Sequence, residues 1–236
     1  MEKPVVQMEV VRRSAPGPGL REHPALARYL ALGMVAGSLL FTVAWFVLGF
    51  LSPGFTIFGT VIEPYTPISQ PLSGLGLGHT GPYMNAAFVL SGLLILVGVI
   101  GVFRGMTELE SAARRLCTVL LALSPLGMVI DGLFTLESFL LHMLGFLLGS
   151  GSLVVSFLVV GRTLRHVPGW ERFGRWLNLA SPLTLALFVL SFTTYDQAAA
   201  AAGLGIAGLA ERILAVEVSS CFVVMGWMGF RRHAPA

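Results

Sequence analysis

Charged residues are scarce in this chain, and so are the short motifs that usually announce an activity. Of 236 residues only 11% are Asp, Glu, Lys or Arg, while 55% are hydrophobic; soluble domains carry about 25% charged residues. That deficit excludes a soluble globular domain. There is no HExxH, no HxxxH and no Cys/His pair at metal-ligand spacing, so zinc finds no preassembled ligand set. There is no GxSxG elbow for a serine nucleophile, and Ser69, Ser73 and Ser91 read as turn and packing residues. The glycines from Ser73 to Gly78 lack the lysine and hydroxyl residue of a phosphate loop. Cys117 and Cys221, the two cysteines, fall in or beside apolar segments without a CxxC pattern and read as small buried side chains. The net charge of +3 marks one side of a membrane rather than a nucleic-acid surface.

What is present is a succession of apolar runs with short basic connectors. The runs cover about Tyr29–Leu51, Met84–Phe103, Leu116–Leu136, Ser138–Gly161, Leu177–Tyr195 and Leu209–Phe230, and each is long enough for the roughly 20 residues a helix needs to span a bilayer. The pattern predicts an all-α, polytopic membrane protein, a bundle of six transmembrane helices over residues 29–230. Residues 1–28 are polar, proline-rich and basic, and predict a disordered cytoplasmic tail; residues 231–236 predict a cytoplasmic C-terminal tail. No cleavage site follows the first run, so it is expected to stay as a signal anchor. Ser124-Pro125, Ser181-Pro182 and scattered glycines interrupt the runs without ending them, as membrane helices tolerate where neighbours re-satisfy the backbone.

Lys and Arg number five in the N-terminal tail, three between the second and third runs, four between the fourth and fifth, and two at the C-terminus, against Arg212 alone on the other side. The positive-inside rule then places both termini in the cytoplasm of a multi-pass protein of the cell (inner) membrane. The long polar interruption Glu63–Asn85 becomes an external crown, which between the first two spans takes in residues 52–83. Pro64, Pro67 and Pro71 stiffen it into an extended path, and Gly74, Gly76 and Gly78 permit a tight return.

Ionisable residues inside a membrane are costly and become functional candidates. Asp131 lies roughly 20 Å up the third helix at 1.5 Å per residue, and His142 about one turn down the fourth. The tight turn between them brings both to similar depth, as a candidate catalytic acid/base pair. Glu211 and Arg212 open the sixth helix, and Glu217 lies about two turns deeper. Arg212 among these carboxylates is read as an ion-pair clamp, with anion binding as the alternative. Glu63 and His79 are expected to approach the same cluster from the crown. A metal held by His79, His142, Asp131 and Glu63 or Glu217 has no support from spacing, and a bis-histidine haem has less.

The residues TPISQPLSGLG (66–76) followed by GPYMNAAFVLSGLL (81–94) resemble the N-terminal signature of the bacterial and archaeal family called domain of unknown function 998. The resemblance continues through Asp131, through LLHMLGFLLG with His142, and through the Glu211-Arg212 pair, with Glu217 outside the pattern. It implies a six-helix membrane protein and transfers no catalytic role.

The functional expectation is a membrane protein of unassigned role with an outward-facing polar pocket under the crown. Its partners beyond the bilayer would be a lipid, a small molecule or another membrane protein, with no nucleic acid and no specified cofactor. The alternative is an intramembrane hydrolase or transferase acting on a lipid at the outer leaflet, with Asp131 and His142 as acid and base or as metal ligands.

Overall fold

A membrane interior offers the backbone no hydrogen-bonding solvent, so an apolar chain that crosses it must close its hydrogen bonds within helices. The computed structural model describes residues 24–232. The expected tails at residues 1–23 and 233–236 lie outside the described residues. The first helix covers Pro24–Leu51 of the described residues, so the stretch Pro24–Arg28, expected in the tail, is helical.

The helices are α1 (Pro24–Leu51), α2 (Gly81–Arg104), α3 (Ser111–Leu133), α4 (Phe139–Phe146), α5 (Ser152–Leu164), α6 (Glu171–Thr193), the short α7 (Gln197–Ala201) and α8 (Ala207–Arg232). A π-helical turn at Leu147–Gly151 joins α4 to α5 in one span. Among the described residues, six helical segments are long and apolar enough to cross a membrane, and the chain is a six-helix membrane bundle. Each span packs on its chain neighbours, and α8 returns against α1 to close the ring.

Backbone proximity drives this packing, because side-chain burial gains little when the lipid is equally apolar. A Cβ on Gly37 of α1 would stand 2.6 Å from the Ser91 carbonyl oxygen of α2, and one on Gly101 of α2 would stand 2.6 Å from Ala31 N. Gly98 faces Met34 and Gly33 with no room for a Cβ. Pro125 and Pro182 lie inside α3 and α6, and each is preceded by a serine that bonds the neighbouring span. Ser124 Oγ donates to Gly149 O at 2.6 Å, and Ser181 Oγ to Val154 O at 2.7 Å.

Two apolar cores fill the ring. One, away from the crown, includes Phe103, Phe157, Trp170 and Phe222. The other lies beneath the crown and includes Phe41, Phe55, Leu75, Met84 and Phe88. The crown carries an antiparallel hairpin absent from the all-helical expectation, β1 (Phe55–Ile57) and β2 (Thr60–Ile62), with Phe55 opposite Ile62 and Ile57 opposite Thr60. Phe55, Ile57 and Ile62 point into the core, whereas Thr56 and Val61 face outward. At the hairpin tip Phe58 and Gly59 both take positive φ, at 49° and 79°, as the tightest hairpin turns require. Two 3-10 turns, Leu72–Gly76 and Gly78–Thr80, then lead into α2.

Gly98→Val should lower the thermal transition of the purified protein in detergent, by an overpacking penalty of about 1–3 kcal/mol. Val97→Leu, on the exposed side of the same helix, should leave it unchanged.

Candidate functional site

The crown is fastened to the first turns of α8. Arg212 is buried there, and its Nη1 donates to three carbonyl oxygens: Pro67 at 2.7 Å, Gln70 at 3.0 Å and Gly208 at 2.9 Å. Its Nη2 donates to the Tyr65 hydroxyl. The guanidinium also lies 5.7 Å from the Trp45 ring centre and 5.8 Å from that of Tyr65, within cation–π range. Gly208 is obligatory beneath it, since any Cβ would run into the Gln70 and Pro67 carbonyls. Arg212 therefore holds backbone oxygens, and the expected ion-pair clamp is not formed. Among the described residues the pairs within 4.0 Å are His142–Asp131 and Arg232–Glu108. A planar, five-donor guanidinium matches a cluster of carbonyls better than one carboxylate could use it.

Glu211, one residue away, turns to the other side of α8. Its Oε2 accepts from Leu72 N at 2.8 Å, which caps the first 3-10 turn of the crown. Gln70 Nε2 donates to Ala200 O at 2.8 Å and Gln197 Nε2 to Thr60 Oγ1 at 3.2 Å, so α7 is tied to the crown as well.

Asp131 and His142 meet across the α3–α4 turn, both buried, with Nδ1 3.5 Å from Oδ1. The closer partner of Nδ1 is the Phe134 carbonyl at 2.9 Å. A carbonyl only accepts, so Nδ1 carries the proton and Nε2 is left as a bare acceptor. Asp131 Oδ1 has no hydrogen-bond partner. Gly145 makes room for this carboxylate, because a Cβ there would overlap Asp131 Oδ1. The π-helical turn follows at once, a feature frequent at functional sites.

Two connected chambers lie under the crown. The larger, about 370 Å³, is lined by Phe139 of α4, Phe192 of α6 and Phe58 of the hairpin. All three phenylalanines are more than half exposed. Its polar lining residues include Ser73, His142, Ser191, Glu211 and the exposed Tyr195. The smaller, about 70 Å³, continues inward to Asp131, Ser124 and Ser219, and shares Ser73, His142, Phe146 and Glu211 with the first. Burial, helped by the Glu211 and Asp196 carboxyls, pushes the Tyr195 phenol up, so it stays a neutral donor.

The expected cluster therefore shrinks to Asp131, His142 and Glu211. Glu63 and His79 are exposed on the crown and line neither chamber. Water is the cheaper environment for them, because a charge there avoids desolvation. Glu217 faces a separate groove of about 790 Å³ between α6 and α8, beside Trp176 and Val224. Its two oxygens accept from Thr184 Oγ1 at 3.1 Å each. Cys117 and Cys221 are free thiols. Among the described residues no three His, Cys, Asp or Glu side chains gather to hold a metal. Sequence reasoning missed Ser191, Tyr195 and Gln197 and set Ser73 aside as a turn residue; none of them sits in a spacing that signals a site.

A family model described as "Protein of unknown function (DUF998)" matches residues 35–228. No curated protein and no solved structure matches the chain.

Arg212→Ala should loosen the crown, since each carbonyl left unpaired costs about 1–3 kcal/mol; faster hydrogen exchange over residues 65–76 is the readout, with Arg212→Lys intermediate. A second expectation concerns alkaline pH. Burial pushes the Tyr65 phenol from 10.0 to about 12, against the pull of Arg212. The folded phenol thus holds its proton more tightly than the unfolded one. Stability should be flat below pH 10.0 and fall as pH rises from there to about 12. Melting curves of Tyr65→Phe should lack that slope.

Proposed function

The chain belongs to the DUF998 family of proteins of unknown function, and from the site itself we propose that its crown-side chamber binds a lipid taken laterally from the bilayer. In this reading both termini are cytoplasmic, the crown faces outward, and the headgroup enters from the outer leaflet of the cell membrane. The excess of Lys and Arg at the opposite helix ends supports that orientation.

One observation carries the proposal. The chamber's exposed lining is apolar and aromatic, at Phe58, Phe139 and Phe192 on the hairpin tip and the crown-side ends of α4 and α6, while the lining further in carries His142, Glu211 and Asp131. That gradient matches an amphiphile with chains in the membrane and a polar head inside the protein. The 370 Å³ of the outer chamber falls in the range of roughly 300–1,000 Å³ typical of small-molecule sites. A purely structural cluster would need no opening.

The second reading is a hydrolase or transferase on the same lipid, favoured by the bare Nε2 of His142 beside Asp131. Nε2 would take the proton of an attacking water or alcohol, and the Asp131 carboxylate would stabilise the imidazolium formed.

Lipids carrying a photoreactive acyl chain should label Phe139, Met143 and Phe192 in the reconstituted protein. Ser191→Trp, which fills the chamber, should cut that labelling about tenfold at unchanged thermal stability, the loss of about 1.4 kcal/mol of binding. Labelling spread evenly over the lipid-facing helices, and indifferent to Ser191→Trp, would sink the lipid reading. For the enzymatic reading, release of headgroup or acyl chain should be abolished in His142→Ala; wild-type protein that binds lipid but never turns it over rules that reading out.

A further inference from the structure

We infer that the headgroup taken by the chamber is a primary ammonium on a phosphodiester lipid, and not an anionic or fully methylated one. The inference rests on the lipid-binding reading and names the ligand class of that same site.

The inner chamber is a set of acceptors without donors of positive charge. The Asp131 side chain is only 9% exposed, and its Oδ1 has no hydrogen-bond partner. Glu211 uses Oε2 on Leu72 N, and its second oxygen adds a further acceptor at the junction of the two chambers. His142 points its proton at the Phe134 carbonyl, which leaves Nε2 to accept. Three acceptors from three helices thus surround one small space.

Among the described residues no cation answers them. Arg212, the nearest guanidinium, spends its Nη1 on the Pro67, Gln70 and Gly208 carbonyls and its Nη2 on Tyr65. The arginines of α2, α3, α5 and α6 stand at the helix ends away from the crown. A phosphate or carboxylate head in the inner chamber would therefore face two carboxyl groups with nothing to offset the repulsion. An ammonium would supply both the missing charge and the missing donors. A quaternary ammonium has the charge but no N–H, and would leave Asp131 Oδ1 and His142 Nε2 unsatisfied.

The outer chamber suits the rest of such a head. Ser73 and the neutral Tyr195 phenol are hydroxyl donors lining the outer chamber, whereas Ser191 spends its hydrogen on the Leu187 carbonyl at 2.8 Å. The two donors are placed to serve phosphodiester oxygens while the amine reaches further in.

The test is competition for the photoreactive label by vesicle lipids sharing one acyl composition: phosphatidylethanolamine, phosphatidylcholine or phosphatidylglycerol. Phosphatidylethanolamine should compete at about tenfold lower concentration than either of the others, the effect of one charge-assisted hydrogen bond. Asp131→Asn should erase the preference while chamber labelling persists. Glu211→Gln should weaken it, and serves as the second variant should Asp131→Asn not fold. Chamber labelling with equal competition by all three lipids overturns the headgroup inference and leaves lipid binding standing. Preference for phosphatidylcholine overturns it in favour of aromatic capture of the cation, and preference for phosphatidylglycerol overturns it outright. Absence of chamber labelling by any lipid overturns the lipid reading itself, and the headgroup inference with it.

Discussion

The guanidinium of Arg212 is the fastening on which the arrangement under the crown depends. A loop folded back onto helix ends at a membrane surface must satisfy its backbone oxygens from within the protein. Here one side chain takes up the carbonyls of Pro67, Gln70 and Gly208 together with the Tyr65 hydroxyl. Gly208 lets those carbonyls descend onto α8. Leu72 is then brought within 2.8 Å of Glu211, and Ile57 and Pro71 become the roof of the chamber. The arginine that sequence logic singles out as the one cation on its side of the membrane is thereby spent on structure.

A second constraint acts from the opposite wall. α3 and α4 approach so closely that Gly145 must yield its side-chain volume to Asp131, and the contact continues past the π-helical turn at Leu147–Gly151 into α5, where Ser156 Oγ donates to Leu120 O at 2.9 Å. Ser124 bridges that turn through the Gly149 carbonyl. Close packing at this point borders the recess lined by Asp131, His142 and Glu211. Glu217 shows the contrast. It too lies in a span, but Thr184 supplies its hydrogen bonds inside a separate groove, and it plays no part in the chamber.

Much of the fold was legible without coordinates, because span length and hydropathy are local properties of the chain. Six runs became six spans, and the crown signature pointed to the family whose model covers residues 35–228. The closeness of Asp131 and His142 was also legible, since a short turn between antiparallel helices leaves little freedom in depth. Glu63 and His79 were misplaced for a corresponding reason. A loop's depth and direction are set by what its backbone bonds to, and the hairpin at Phe55–Ile62 and the Arg212 contacts are non-local.

The sequence by itself determined a six-span membrane protein, the basic bias toward one set of helix ends, and the pairing of an acid with an imidazole at one turn. All three follow from hydropathy, charge and spacing along the chain. Only the tertiary structure decided that Glu211 faces the chamber while Arg212 faces the crown, that Glu217 stands apart, and that Ser73, Ser191 and Tyr195 line the larger chamber. Those outcomes depend on the rotation of each helix about its axis, which close glycine contacts and the crown's hydrogen bonds settle and a run of apolar residues leaves open.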